Sequence, residues 1–151
     1  MPFNNVSAEA EFKIEFYDVD SMQIVWHGNY VKYFEKARCA LLDKIGFGYN
    51  DMKESGYAFP VTDIRIKYIK PLTFRQKVIA LAVLEEYENC LKISYELRDA
   101  GTGIVTTKGT STQMAFDIAA MSSMMVCPQI FIDRVEAVLS GDSGKGGDHA
   151  L

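Results

Sequence analysis

Apolar residues recur at every second position in several stretches of the chain, and such alternation predicts half-buried strands. In AEFKIEF, residues 10–16, the apolar face would carry Phe12, Ile14 and Phe16. Four more strands are predicted after Pro60, in the segments 61–70, 76–88, 90–100 and 104–118. The second of these segments is almost continuously apolar, so we expect that strand to be covered on both faces. Gly109 in the last segment predicts a bulge or a close approach of another part of the chain.

Between the first strand and Pro60 the apolar period changes to that of a helix. In YVKYFEKARCALLDKIG the apolar side chains fall at helical spacing, at Tyr30, Phe34, Ala37, Leu41 and Ile45. Asn29 fits an N-cap and Gly46 a C-terminal stop. A short second helix is predicted in YNDMKESG, and a last helix starts near Pro128.

The order of these elements predicts the fold class. A strand, a long helix and four strands joined by short turns indicate an α+β domain with an antiparallel sheet and one long helix against it. No repeat or linker interrupts the pattern, so residues 1–140 are expected to form a single domain. Residues 141–151 are rich in Gly, Ser and Asp and predict a disordered tail that includes His149.

Composition narrows the class of protein. The chain has 151 residues, of which 48% are hydrophobic and 24% charged, as is usual for a globular domain. A net charge of -4 argues against a general nucleic-acid binder. The three cysteines lack metal-ligand spacing, which predicts no zinc site and reduced thiols in a cytoplasmic protein. Neither a signal peptide nor an apolar run long enough to cross a membrane is visible, so no integral membrane segment is expected.

The stretch YDVDSMQIVWHGNY, residues 17–30, is the candidate for chemistry. It places Asp18 and Asp20 shortly before Trp26, the only tryptophan, and His27. Carboxylates beside bulky apolar side chains cost solvation free energy unless something compensates. The pair is therefore either a solvated turn or a functional site.

The segment DVDSMQIVWHGNYVKYFEKAR resembles the signature of the 4-hydroxybenzoyl-CoA thioesterase branch of the hotdog-fold superfamily. Members share Asp-x-Asp-x-x-Gly, small apolar residues, an aromatic residue, Asn-Tyr and a helix with Phe-Glu-x-Ala-Arg. The matching positions are Asp18, Asp20, Ile24, Val25, Trp26, Asn29, Tyr30, Phe34, Glu35, Ala37 and Arg38. The likeness covers roughly residues 9–139. Gln23 replaces the turn glycine of the family, which leaves the substrate geometry open.

This resemblance implies a hotdog fold, in which a five-stranded antiparallel sheet wraps around one long central helix. It implies a homodimer, often paired into a homotetramer, with active sites between subunits. The implied reaction is hydrolysis of an acyl-CoA to a free acid and CoA without metal or cofactor. Asp20 aligns with the catalytic carboxylate, as nucleophile or general base. His27 aligns with the position whose backbone N–H polarises the thioester carbonyl.

Other residues receive secondary roles. We expect Asp18 to hold the loop, and Glu35 either pairs with Arg38 at i, i+3 or serves as the reserve catalytic acid. The substrate-pocket candidates are Gln23, Trp26, Asn29, Tyr30 and Phe34. The candidates for binding the CoA phosphates are Lys67, Lys70, Arg75, Lys92 and Lys108. The acyl group stays open, because aromatic walls suit both aryl and fatty chains.

Two other functions stay open at this point. A hotdog dehydratase or hydratase pairs a histidine with an acid, and His27 with Glu35 or Asp20 could imitate it. A non-catalytic acyl-thioester binding module needs only the pocket. The position of His27 directly after the Asp-x-Asp turn favours the thioesterase.

Overall fold

The computed structural model describes residues 6–141. The strands are β1 (Ser7–Lys13), β2 (Tyr57–Ala58), β3 (Val61–Tyr68), β4 (Lys77–Glu86), β5 (Leu91–Asp99), β6 (Val105–Gln113), β7 (Phe116–Asp117) and β8 (Ser122–Ser123). The helices are α1 (Tyr30–Ile45), α2 (Tyr49–Ser55) and α3 (Gln129–Leu139), with 3₁₀ turns at Phe16–Asp18 and His27–Asn29. The predicted tail lies outside the described residues except for Gly141.

Five strands form one antiparallel sheet in the order β1-β4-β5-β6-β3. Helix α1 packs mainly against β1 and β4. The predicted α+β class and the five-stranded sheet with a long helix are confirmed. A small second sheet, β2-β7-β8, was not predicted. Within the described part of the chain, no helix is long and apolar enough to cross a membrane.

The core lies between α1 and the sheet, as the helical spacing predicted. All five predicted α1 positions are buried. The Phe34 ring stacks on Tyr95 of β5, with ring centroids 4.5 Å apart. A Cβ on Gly109 would lie 2.5 Å from the Phe34 ring and 2.5 Å from the carbonyl oxygen of Arg65. Gly109 is therefore the predicted site of close approach, because any larger residue would push the helix off the sheet.

Four strand predictions need correction, that for β3 among them. The first strand ends at Lys13, and Phe16 is 72% exposed because the chain has already turned into a 3₁₀ helix. Strand β4 is buried fully on one face only, while its other face is half-buried. The last predicted strand breaks after Gln113, so that β7 can join the small sheet.

Strand β3 is an edge of the main sheet. Its alternating pattern predicted a buried face with Ile64 and Tyr68, but these side chains are 37% and 49% exposed. The reason is that β3 is hydrogen-bonded along one edge only, to β6, and no described element packs against its other edge. The edge therefore presents apolar side chains and unpaired backbone groups together.

Candidate active site

The loop between β1 and α1 is fixed by main-chain hydrogen bonds. The Trp26 N–H donates to the Asp18 carbonyl at 3.0 Å, and the Val25 N–H donates to Leu72 at 2.9 Å. The Asn29 side-chain amide donates to the same Asp18 carbonyl at 2.8 Å. Asn29 therefore ties the loop together. The sequence predicted Asn29 as the N-cap of α1, but its side chain makes no capping hydrogen bond.

Asp18 has the structural position that the sequence predicted for it. Its side chain is buried and accepts a hydrogen bond from the Glu15 N–H at 2.9 Å. The ammonium of Lys32 lies 3.7 Å away. The pKa of the neighbouring Tyr33 phenol is raised by burial and then by the nearby Asp18 carboxylate. Asp18 therefore stabilises the loop from inside the protein.

Asp20 begins a tight turn and keeps most of its carboxylate open. Its Oδ1 accepts a hydrogen bond from the Met22 N–H at 2.8 Å, and its carbonyl accepts one from the Gln23 N–H at 2.9 Å. The side chain is half-buried. Gln23 has φ +67°, in the left-handed region that favours glycine. This explains why the family signature has a glycine at this position.

A cleft of about 330 Å³ opens beside this turn. Its lining combines the predicted catalytic pair, Asp20 and His27, with residues from the end of β3 and the segment after it. The full set is Asp20, Ile24, Val25, His27, Tyr30, Tyr68, Ile69, Lys70 and Pro71. The structure thus brings the two predicted catalytic residues to one concave surface.

Backbone N–H donors lie at the N-terminus of α1, next to the cleft. The 3₁₀ turn His27–Asn29 leads directly into α1, and its first hydrogen bond runs from the Asn29 N–H to Trp26 O at 2.9 Å. The N–H groups of His27 and Gly28 therefore have no intrahelical acceptor. Such free donors at a helix start attract negative charge.

Tyrosine side chains form one wall of the cleft. Tyr30 is buried and meets Tyr68 edge-on, with centroids 4.8 Å apart. Burial raises the pKa of the Tyr30 phenol, and a hydrogen bond with the Leu72 backbone offsets only part of that shift. The Tyr68 hydroxyl donates to the His27 carbonyl at 2.9 Å.

The remaining predicted pocket residues lie elsewhere. Trp26 is 50% exposed, and its ring covers Gly28 so closely that a Cβ there would lie 2.3 Å from it. Gln23 is exposed on the turn. Phe34 is fully buried and lines a separate cavity of about 130 Å³ between α1 and β3. Of the five predicted pocket residues, only Tyr30 lines the cleft.

Glu35, the reserve acid, has a hydrogen-bond partner on each carboxylate oxygen. Its Oε1 accepts a hydrogen bond from Arg38, and its Oε2 accepts one from the Tyr49 hydroxyl at 2.7 Å. Burial raises the pKa of Glu35, but the Arg38 and Tyr49 hydrogen bonds outweigh it and hold that pKa below the ordinary value. The i, i+3 pairing predicted from the sequence is confirmed.

The basic residues separate by position. Lys70 lines the cleft with Asp20 and His27, whereas Lys67 and Lys108 line a groove of about 500 Å³ on the sheet face turned away from α1. Arg75 lies over the Phe74 ring, 5.3 Å from its centroid. Among residues 6–141, no group of three or more His, Cys, Asp and Glu side chains could hold a metal ion.

The position of Tyr68 in the cleft was not predicted from the sequence. The alternating pattern placed it on a buried sheet face, and nothing local relates it to His27, 41 positions away. The end of β3 reaches the loop because the segment that follows β3 bonds to it, through the Val25 N–H to the Leu72 carbonyl and a β-bridge between Ile24 and Thr73. The one local signal in the sequence for a residue of the cleft was a tyrosine near the end of a predicted strand.

Comparison with known proteins identifies the family. The profile of the thioesterase-like superfamily matches residues 14–130. A Bacillus subtilis protein that carries the provisional name of acyl-CoA thioesterase YneP is 32% identical over 111 residues, which are 73% of this chain and 80% of that protein.

Solved structures share the fold. DHNA-CoA thioesterase from Staphylococcus aureus is 26% identical with a TM-score of 0.78, and the match covers 96% of both chains. The 1,4-dihydroxy-2-naphthoyl-CoA thioesterase Slr0204 from Synechocystis has a TM-score of 0.76 over 85% of this chain and 95% of its own, at 12% identity. The chain therefore belongs to the thioesterase-like superfamily, and the prediction that it is a thioester hydrolase is confirmed at the level of that family.

Proposed function

We propose that the protein hydrolyses an acyl-CoA thioester to a free acid and CoA, as the 4-hydroxybenzoyl-CoA thioesterase signature implies. Asp20 acts as nucleophile or general base, and the backbone N–H groups at His27 and Gly28 bind the carbonyl oxygen. The observation that carries the proposal is the single cleft that contains the Asp20 carboxylate and the start of the helix. Thioester hydrolysis needs these two kinds of group together.

The chemistry follows from the two groups. As a general base, Asp20 takes a proton from water while the water oxygen attacks the thioester carbon. The carbonyl oxygen becomes an oxyanion, which the free N–H groups stabilise. The C–S bond then breaks, and the CoA thiolate receives the proton from Asp20. As a nucleophile, Asp20 would form an anhydride that water hydrolyses to the same products.

The proposed substrate is supported by charge and by ring contacts. Lys70 is an exposed cation on the lining of the cleft, so it can meet a CoA phosphate while the thioester lies at Asp20. The rings of His27, Tyr30 and Tyr68 offer flat apolar surfaces to the acyl group. An aromatic acyl group fits such walls well, since offset and edge-on ring contacts stabilise it.

The test is a panel of short, long, branched and aromatic acyl-CoAs with released CoA measured as free thiol. We expect turnover of at least one substrate, with aromatic acyl groups preferred. A flat response over the whole panel would contradict the enzymatic proposal. With crotonyl-CoA added to the panel, a change in enoyl absorbance without thiol release would show the hydratase instead. Tight binding without either signal would show the binding module.

We further propose that the protein is a homodimer, which can pair into a homotetramer. The open edge of β3 and the exposed apolar side chains of Val31, Val61 and Ile64 support pairing between β3 strands of two copies. The cleft begins where β3 ends, so a second copy would supply part of its wall. Light scattering at micromolar concentration should give at least twice the 17.0 kDa of one chain. A monomeric mass would contradict the assembly.

The three cysteines are free thiols. Since free thiols persist in reducing compartments, we propose a cytoplasmic location. Imaging of the tagged full-length chain would test it.

A further inference from the structure

Tyr68 joins the edge strand to the loop that carries the proposed oxyanion donors. It is the last residue of β3, and its hydroxyl donates to the His27 carbonyl at 2.9 Å. Its ring is held at the same time by the edge-on contact with Tyr30, whose own side chain is only 3% exposed. Although about half of Tyr68 is exposed, both its ring and its hydroxyl therefore have fixed partners.

The hydrogen bond acts on a defined peptide group. The carbonyl of His27 and the N–H of Gly28 belong to one planar unit, so fixing the direction of the carbonyl also fixes the direction of the N–H. Hydrogen bonds in series also polarise one another, which makes the N–H on the far side a stronger donor. The hydroxyl of Tyr68 thus acts on the Gly28 N–H through the peptide group, whereas only the ring of Tyr68 faces the acyl group.

The peptide group between His27 and Gly28 has few other contacts that fix its orientation. Residue 28 is a glycine over which the half-exposed Trp26 ring lies, and a Cβ there would displace that ring. Glycine has the largest backbone freedom of all residues, so a donor on it needs support from its surroundings. The preceding peptide group already has such support, through the hydrogen bond from the Asn29 N–H to the Trp26 carbonyl. Tyr68 supplies it for the next group along the chain.

We infer that Tyr68 is a positioning residue for thioester hydrolysis. It holds the peptide group between His27 and Gly28 in the orientation that donates to the carbonyl oxygen of the substrate. This inference rests on the proposed function, because it assigns a supporting residue to the same oxyanion donors. The end of β3 thus positions an oxyanion donor as well as forming the edge of the sheet.

The variant Tyr68→Phe tests the inference because it keeps the ring contact with Tyr30 and removes only the hydroxyl. With the acyl-CoA of the panel that the unaltered protein turns over fastest, we expect kcat to fall about tenfold, the worth of one hydrogen bond. KM should change less than twofold, since substrate contacts remain. In a ¹H–¹⁵N spectrum the Gly28 amide resonance should shift while resonances of the sheet stay in place.

Thr62→Val is the matched control. Thr62 also lies on β3 and its hydroxyl also donates to a main-chain carbonyl, that of Thr112 at 3.2 Å, but it is not part of the cleft. Its removal should leave kcat unchanged. An unchanged kcat in Tyr68→Phe would overturn the inference, and so would an equal loss in Thr62→Val, which would show a general effect of the edge strand.

Asp20→Asn in the same assay separates this inference from the proposed function. If Asp20→Asn is inactive while Tyr68→Phe retains full kcat, the inference about Tyr68 fails alone. If Asp20→Asn retains full activity, the proposed site itself is wrong, and the Tyr68 inference falls with it.

Discussion

Two acidic groups lie near the start of α1, and the protein surrounds them differently. Glu35 has a partner on each carboxylate oxygen, Arg38 on one and Tyr49 on the other. Asp20 accepts one hydrogen bond, from the Met22 N–H, and faces a cleft with the rest of its carboxylate. A carboxylate can take a proton or attack a carbonyl only with lone pairs that the protein does not already use. The comparison therefore favours Asp20 as the reacting group and Glu35 as a stabilising one.

Asp18 sharpens the comparison because it is chemically identical to Asp20 and lies two residues away. It is only 4% exposed and its carboxylate binds the Glu15 N–H. One aspartate thus holds the loop from inside while the other faces the cleft. Substitutions should separate these roles cleanly, since activity and stability respond to different members of the pair.

Asp20→Asn should have the largest effect. The amide keeps the size of the side chain and can still accept the Met22 hydrogen bond, but it cannot act as base or nucleophile. We expect kcat to fall by about two to four orders of magnitude, the range for losing a positioned base. The melting temperature should stay the same or rise, because a half-buried charge is removed. Released thiol and thermal unfolding measure the two quantities.

Glu35→Gln is the control for this prediction and should lose less than tenfold in kcat. If instead Glu35→Gln is inactive while Asp20→Asn keeps more than about a tenth of the original turnover, the catalytic carboxylate lies on the helix. The comparison between the two acids would then be reversed.

Asp18→Ala should affect stability more than chemistry. The Glu15 N–H would lose its acceptor inside the protein, which costs about 1–3 kcal/mol of unfolding free energy. Turnover of the folded protein should fall less than in Asp20→Asn, and Asp18→Asn should be milder in both respects. Denaturant titration measures the loss. A stable but inactive Asp18→Ala would show that both aspartates take part in the reaction.

The hydrogen bonds of Glu35 with Arg38 and Tyr49, together the Glu35 cluster, predict how stability depends on pH. The pKa of Glu35 is held below its ordinary value of 4.5 in the folded protein. Its stabilising contribution is therefore present above pH 4.5 and disappears as the pH falls through the lower folded value. The melting temperature of Glu35→Gln should lie below that of the unaltered protein at pH 7, and the difference should shrink in acid. A difference that stays constant down to pH 3 would show that charge does not stabilise the cluster.

Substitutions of Gln23 should have the smallest effects. Gln23→Gly relieves the strain of the positive φ but adds conformational freedom to the unfolded chain. These two contributions oppose each other, so the free energy of unfolding should change by less than about 1 kcal/mol. Gln23→Val places a β-branched residue in the left-handed region and should destabilise by about 1–2 kcal/mol. Equal melting temperatures of the two variants would show that the loop relaxes to another backbone conformation.

The helical part of the fold was predictable because its signals are local. The spacing from Tyr30 to Ile45 and the stop at Gly46 gave α1 with its observed bounds. Gly109 signalled a close approach, although only the folded sheet identified Phe34 as the neighbour. The Phe16 prediction failed because alternation continues through a segment whose backbone has already turned away from the sheet.

The site was predictable only in part, for the same physical reason. Asp20 and His27 lie within one short loop, so a local signature includes both. Tyr68 and Lys70 reach the cleft because the chain after β3 bonds to the loop at Leu72 and Thr73, and these contacts are long-range. Trp26 resembled a pocket wall because it is large and apolar, but its ring turns outward to cover Gly28.

The outward position of Trp26 gives the protein a built-in optical reporter. It is the only indole in the chain, it is half exposed, and its ring centroid lies 5.2 Å from that of His27. Indole emission, excited at wavelengths that tyrosine does not absorb, therefore comes from the loop of the candidate site alone. A change in its wavelength or intensity on adding an acyl-CoA would report ligand arrival at this loop without any label, even in variants that no longer turn over substrate.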